Sequence, residues 1–228
     1  MNNNLPYNLL IETSTEACSV AISLGDKVIS QEYIKEPKAH ASMLAPLIET
    51  TLKRCNIEVK DLDAVAVSEG PGSYTGLRVG VSTAKGICFG KNIPLIGIST
   101  LTTLAYQSEG QYDLIVPMID ARRMEVFTAT YNSDYQRINE IRPEILDENS
   151  FSDILSSNRV LFIGDGVEKF KNICNKENGI FDTSSPKASA MATPAFEMWT
   201  KKEFKDVAYF EPFYLKDFVA GISKKSIL

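Results

Sequence analysis

The stretch GPGSYTGLRVGVSTAKG, Gly70 to Gly86, decides the reading of this chain. The apolar run LDAVAVS, Leu62 to Ser68, leads into it, and a helix with small residues on one face follows. A strand, a glycine loop and a helix together place backbone N–H groups around an anion. Gly70, Gly72 and Gly76 permit positive φ and close backbone approach, and Pro71 stiffens the turn. Ser73 and Thr75 supply hydroxyls, and Thr75 is expected to cap the helix. Arg78, one turn in, is placed to reach a phosphate or carboxylate. The loop is neither GxxxxGK[ST] nor GxGxxG, so no generic nucleotide motif claims it. Two readings therefore stay open: an anion cradle, and a turn packed for closeness with Arg78 in a structural ion pair.

Around this loop the chain repeats a pattern. NLLIET, Asn8 to Thr13, reads as a buried strand, ACSVAISL, Ala17 to Leu24, as an alternating second, and VISQEYI, after a GDK turn, as a third. His40 to Cys55 has helical apolar spacing, with Pro46 expected to bend the helix or delay its start. Pro94 to Ile98 is a short strand, and Ser99 is expected to cap a helix over Thr100 to Ser108. LIVPMID, Leu114 to Asp120, then restarts the layout, with MEVFTATY and YQRINEI as second and third strands and VLFIGDG, Val160 to Gly166, echoing DAVAVSEGPG.

Two copies of a three-strand meander followed by helix-linked strands predict an α/β fold. Its two ribonuclease-H-like lobes, with mixed sheets flanked by helices, are of the actin-like ATPase and sugar kinase type. The boundary is placed in the polar segment Ala105 to Asp113, giving an N-terminal lobe over 1–106 and a C-terminal lobe over 107–228. Glu177 to Pro194, rich in Ser, Thr and Pro, reads as a long loop. Ala195 to Phe204 reads as a last helix, and ISKKSIL as a loose basic tail that packs back on the first lobe. Glu12 and Asp120 fall at corresponding strand ends, where such ATPases place acids near a metal-nucleotide.

Composition narrows the function. The chain has 228 residues, and 24 Lys+Arg against 29 Asp+Glu give a formal charge of −5. Such an acidic balance disfavours unaided nucleic-acid binding. No apolar run approaches a membrane span, and MNNNLPYNLL lacks a basic n-region, so a cytoplasmic protein is expected. Cys18, Cys55, Cys88 and Cys174 form no CxxC pair and read as buried free thiols. One histidine, His40, leaves no metal site to build from histidines, and HExxH is absent.

IETSTEACSVAI, HASMLAPLIETTL, the whole of LDAVAVSEGPGSYTGLRVGVSTAKGICFGKNIPLIGISTL and DARRMEVF resemble, in this order, the bacterial TsaB (YeaZ) family. The likeness is strong over Leu9 to Phe127 and weak beyond. It departs at Glu12, where the family commonly has Asp, and at Tyr74, where it commonly has Phe. The resemblance implies a non-catalytic partner of the subunit TsaD. With the ATPase TsaE, that pair would form N6-threonylcarbamoyladenosine at position 37 of tRNAs reading codons that begin with A. TsaD carries His-x-x-x-His where this chain has Thr100 and Leu104, so the metal ligands are missing here.

No cofactor is expected on the chain alone; ATP or ADP is expected in the complex with TsaD and TsaE. A heterodimer with TsaD is implied, a homodimer in its absence, and tRNA contact only through the complex. Tentative phosphate contacts are Glu12, Gly70, Gly72, Ser73, Thr75, Gly76, Arg78 and Asp120. Tentative partner contacts are Met43, Leu44, Leu47, Ile48, Val79 and Thr83 on two adjacent helices. A stand-alone ATPase or small-molecule kinase is the alternative. A metallo-glycoprotease is the least supported reading.

Overall fold

The computed structural model describes residues 5–36 and 40–215. The ISKKSIL tail lies outside them. The first half forms β1 (Tyr7–Glu12), β2 (Ala17–Leu24), β3 (Lys27–Lys35), α1 (His40–Arg54), β4 (Ala64–Gly70), α2 (Tyr74–Lys91), β5 (Leu95–Ser99) and α3 (Thr100–Gln107). The second forms β6 (Leu114–Asp120), β7 (Glu125–Thr128), β8 (Tyr131–Asn132), β9 (Arg142–Ile145), α4 (Ser152–Leu155), β10 (Val160–Ile163), α5 (Val167–Lys171), β11 (Gly179–Asp182) and α6 (Ala192–Lys201).

The duplication read from the sequence is a duplication of topology. The first sheet has the order β3-β2-β1-β4-β5, with β1–β3 antiparallel and β4 and β5 parallel to β1. The second runs β9-β7-β6-β10-β11, with the same senses, and β8 also pairs with β6. The fold is therefore two ribonuclease-H-like lobes of actin-like type, with mixed sheets flanked by helices. The second copy is eroded: α4 and α5 stand where α1 and α2 stand in the first. In the space that longer helices would fill, Phe151, Phe162, Phe170 and Phe181 pack ring on ring.

Several expectations are corrected. The third strand of the second lobe is β9, not YQRINEI. There Asn132 Oδ1 accepts from the Asp134 and Gln136 N–H groups, and Asn139 Oδ1 from the Thr130 N–H, so side chains close a polar turn where a ladder would run. The stretch 177–194 is not a single loop: it contains β11, a 3₁₀ turn over Ala188–Met191 and the start of α6. Helix α6 begins at Ala192, not Ala195, and ends at Lys201. Helix α1 starts at His40 with Pro46 inside it, so its start is not delayed. His40 is buried, with Nε2 3.1 Å from the Ala17 carbonyl. All four cysteines are free, but only Cys18 and Cys88 are buried.

Two helices tie the halves together. Leu101, Leu104 and Ala105 of α3 share a core with Ile115, Ile119, Leu161 and Ile163 of the second sheet. Ala188, Met191, Ala192 and Ala195 pack on Leu10, Ala66, Ile96 and Ile98 of the first. Each sheet thus takes part of its cover from the other half of the chain. The opposite face of the first sheet packs under α1 and α2, which lie side by side.

Helix α2 holds glycines of two kinds. A Cβ on Gly76 would overlap the Thr13 carbonyl oxygen, whereas one on Gly86 would meet nothing within 4 Å among the described residues. Gly76→Ala is expected to cost about 2–3 kcal/mol through overpacking. Gly86→Ala is expected to stabilise the chain by about 0.5–1 kcal/mol through helix propensity. Urea unfolding midpoints of the two variants check both signs.

Candidate functional site

The glycine loop is built against the end of β1. The Ser73 N–H donates to the Ser14 carbonyl at 2.6 Å, and Thr13 Oγ1 donates to the Gly76 carbonyl at 2.8 Å. Added Cβ atoms on Gly72 and Gly80 would strike Ser14 and Thr13 respectively. The small residues at 72, 76 and 80 thus let the start of α2 press on the turn after β1, and the chain's own backbone occupies that approach. The N-cap is Ser73, not Thr75: Ser73 Oγ accepts from the Gly76 N–H at 3.3 Å, and Thr75 is exposed in the first turn. Gly70 has φ +109°, a backbone setting that favours glycine.

Arg78 is exposed, and its guanidinium lies 4.3 Å from the Tyr74 ring centroid. It also hydrogen-bonds to Tyr214, whose ring is 4.9 Å from that of Tyr74. Tyr214 ends a strap, residues 205–215, that crosses the edge of the first sheet. The Lys205 N–H donates to the Leu95 carbonyl, the Phe213 N–H to the Glu69 carbonyl, and Lys205 pairs with Glu69 at 2.8 Å. Lys85 Nζ reaches the Ala208 and Phe210 carbonyls. Nothing in the sequence spacing marks this strap as the partner of Arg78.

The second lobe mirrors the first. The Gly166 N–H donates to the Met118 carbonyl at 3.0 Å, so the turn after β10 packs on the end of β6 as the glycine loop packs on β1. Glu12 and Asp120 end the two central strands but live in different surroundings. Asp120 is exposed; Oδ1 accepts from the Arg122 N–H and pairs with Lys169, each at 2.5 Å. Its own N–H donates to Asp165 Oδ1 at 3.0 Å.

Glu12 is 1% exposed. Its Oε1 accepts from the Ser14 N–H at 2.6 Å, and its Oε2 has no partner among the described residues. Burial pushes this carboxyl up to about 7, against the lowering pull of Ser14 and Ser68. Burial also raises Asp165 to about 6, helped by the charge of Asp120, and the Asp165 charge in turn raises Glu12. Of the two acids at the end of the second lobe, the charge of Asp165 rather than that of Asp120 adds to the rise at Glu12. Asp165 stands in the IGDG turn that echoes SEGPG, a signal legible in the sequence but without a role there.

Of the tentative partner contacts, Leu44, Leu47 and Ile48 point inward and belong to the core of the first lobe. Met43 and Val79 are partly buried against that core, and Thr83 is partly buried with its hydroxyl on the Val79 carbonyl. The outward residues are Ala41, Ser42, Ala45, Pro46, Glu49, Thr50, Lys53 and Arg54 on α1, and Thr75, Arg78, Ser82, Gly86, Phe89 and Gly90 on α2. Phe89 is 84% exposed. Thr100 and Leu104 are both fully buried on α3. Among the described residues no group of three or more His, Cys, Asp or Glu side chains is placed to hold a metal ion. Among them, too, no helix is long and apolar enough to cross a membrane.

Comparison with known proteins places this arrangement. The tRNA threonylcarbamoyladenosine biosynthesis protein TsaB of Escherichia coli (strain K12) is 31% identical over 226 residues, covering 93% of this chain and 95% of that protein. The chain belongs to the TsaB (YeaZ) family. TsaB of Bacillus subtilis (strain 168) is 29% identical, with coverage of 91% and 93%. The protein-family model described as TsaD, tRNA N6-adenosine threonylcarbamoyltransferase, matches residues 24–224. In solved structures, YeaZ from Pseudomonas aeruginosa has a TM-score of 0.83 at 24% identity, covering 92% of this chain and all of that one. The activator of the 2-hydroxyisocaproyl-CoA dehydratase from Clostridium difficile, with bound ADPNP, has a TM-score of 0.52 at 11% identity, with coverage of 88% and 98%. These structural likenesses carry the fold of this TsaB-family chain.

The raised carboxyl of Glu12 sets a pH dependence. The folded chain keeps a proton on Glu12 that the unfolded chain releases above 4.5, so stability falls as pH climbs from about 4.5 to about 7 and is level above. Glu12→Gln is expected to flatten that slope and to stabilise the fold at pH 8 by roughly 1–3 kcal/mol. Urea unfolding of both proteins from pH 5 to pH 8 measures it. A parallel pair of pH curves would contradict a buried, protonated Glu12.

Proposed function

We propose that this chain is the non-catalytic partner and activator of TsaD in forming N6-threonylcarbamoyladenosine at position 37 of tRNAs that read codons beginning with A. Relatives matched over nearly their whole length carry the name of threonylcarbamoyladenosine biosynthesis proteins. That the TsaD family model also matches is what two diverged subunits of one fold would give. Thr100 and Leu104 stand where TsaD has its histidines; a leucine side chain has no donor for a metal. The adenosine N6 must attack a carbonyl of an adenylated donor, a step that needs donor positioning and stabilisation of developing charge. TsaD supplies those groups. This chain stabilises the active conformation of its partner, which shifts a population without contributing a reacting group.

The observation that carries the reading is the outer face of α1 and α2. Gly86 and Gly90 lie inside a long helix, where glycine costs roughly 1 kcal/mol relative to alanine. A Cβ on either would meet nothing within 4 Å among the described residues. With Ala41, Ala45 and exposed Phe89 they make a surface that a pair of partner helices can approach closely. The same surface serves a homodimer when TsaD is absent. TsaE joins the pair, with ATP or ADP bound in the assembled complex, in the cytoplasm. Against a stand-alone ATPase stands the loop itself, where the Thr13–Ser14 backbone takes the close approach that the glycines allow.

Gly86→Arg is expected to abolish co-purification with TsaD while leaving the melting temperature within a few degrees of wild type. Leu47→Glu, by contrast, is expected to destabilise the fold itself by roughly 3 kcal/mol or more, because it buries a carboxylate without a partner. Size-exclusion chromatography with mass measurement, beside thermal melts, separates the two. Threonylcarbamoyladenosine formed per tRNA should fall with Gly86→Arg in the complete system. Full product yield from a system lacking this chain would overturn the activator role.

A further inference from the structure

On the sheet face opposite α1 and α2 lies a groove of about 510 Å³, open on one side. Its floor and one wall come from strand alternation. Ser19 pairs with Tyr33, and Ala21 with Gln31, while Cys18 and Val20 point to the core under α1 and α2. Gln31, Tyr33 and Lys35 therefore project together from β3 on the groove side. The other wall is residues 183–187. The Gln107 side chain fixes this wall by donating to Ser184 Oγ and the Ser185 carbonyl and accepting from the Lys187 N–H. Ser19 Oγ accepts from the Ala188 N–H at 3.1 Å, which holds the wall to the sheet.

Six polar side chains lining this groove have no hydrogen-bond or ion-pair partner among the described residues: Gln31, Tyr33, Lys35, Thr183, Ser185 and Lys187. Ser185 lines the groove and is only 5% exposed. Lys35 and Lys187, neither in an ion pair among the described residues, both line the groove in a chain of net charge −5. Charge of one sign on the walls of a cleft raises the local concentration of the opposite ion. Hydroxyls and ammonium groups together suit the oxygens of a phosphate. The Tyr33 ring, 43% exposed, offers a flat face of the kind on which bases stack. The volume lies within the range of small-ligand sites.

We propose that this groove is a nucleotide-phosphate site: Lys35 and Lys187 hold the phosphate, Thr183 and Ser185 donate to its oxygens, and Tyr33 stacks the base. The phosphate comes either from a free mononucleotide or from a nucleotide unit of RNA. The site lies on the face opposite the one proposed for TsaD, so its failure leaves that reading untouched.

The test is a ligand-observed NMR titration of the full chain with AMP, with inorganic phosphate and with an unstructured RNA octamer. Saturable AMP binding is expected, weakened at least tenfold by the double variant Lys35→Gln/Lys187→Gln and by raising salt from 50 to 300 mM. Tyr33→Ala should weaken AMP at least threefold and leave phosphate binding unchanged. It also serves as the readout should the lysine variant not fold. Competition of the octamer with AMP identifies RNA as the source; AMP binding without competition identifies a free nucleotide. Failure of the wild-type chain to bind AMP and the octamer, equal affinity in both variants, or a response to inorganic phosphate alone overturns the site. TsaD co-purification with the lysine variant should match wild type, which separates this outcome from the partner reading.

Discussion

The contact between the turn after β1 and the first two turns of α2 governs the first lobe. The Thr13 carbonyl sits where a side chain on residue 76 would begin, and the Ser14 carbonyl takes the Ser73 N–H. Such an approach brings backbone against backbone at 72 and 76, where only glycine serves, while at 80 a side chain would meet the Thr13 hydroxyl. Once that contact is fixed, the direction of α2 is fixed as well. Leu77, Val81 and Cys88 then turn to the core, and Ser82, Gly86 and Phe89 turn away from it. A larger residue at 76 would lift the helix from the sheet and tilt the face offered to a partner. The glycine signature is thus a packing device whose consequence is felt on the opposite side of the helix.

The second lobe repeats this device with less material. Gly164 and Gly166 let the turn after β10 press on the end of β6, but five-residue α5 replaces α2 and a cluster of phenylalanines fills the volume. The two copies have diverged in electrostatics too. Glu12 is buried and holds its proton near neutrality, while Asp120 is exposed and paired with Lys169. Asp165 accepts from the Asp120 backbone, and its charge adds to the rise at Glu12.

Division of labour between the two sheet faces follows from strand alternation. Residues 18, 20 and 34 of the meander face α1 and α2, whereas 19, 31, 33 and 35 face the 183–188 segment. One face thereby carries the small-residue surface proposed for a partner helix pair, and the other a polar groove lined by Lys35 and Lys187. The strap over residues 205–215 covers the β5 edge and the side of α2 that carries Tyr74, Arg78 and Lys85.

Much of this was legible in the residues alone. Continuous apolar runs gave β1 and β6 and an alternating run gave β2, nearly to the residue, and the repeated layout gave the two lobes, because these patterns depend on neighbours a few positions apart. The order Gly-Pro-Gly-Ser-Tyr-Thr-Gly-Leu-Arg was enough to point to the family. Long-range geometry decided the rest. The glycines could serve an anion or a close contact equally well until Thr13 and Ser14 were seen to fill the space. Arg78 lacked a visible partner because Tyr214 lies far along the chain. Leu44, Leu47 and Ile48 had the right spacing for a helix face, but spacing cannot say whether that face meets the chain's own sheet or another protein. Only the tertiary structure assigns a face its partner, since burial depends on what the rest of the chain brings to that side.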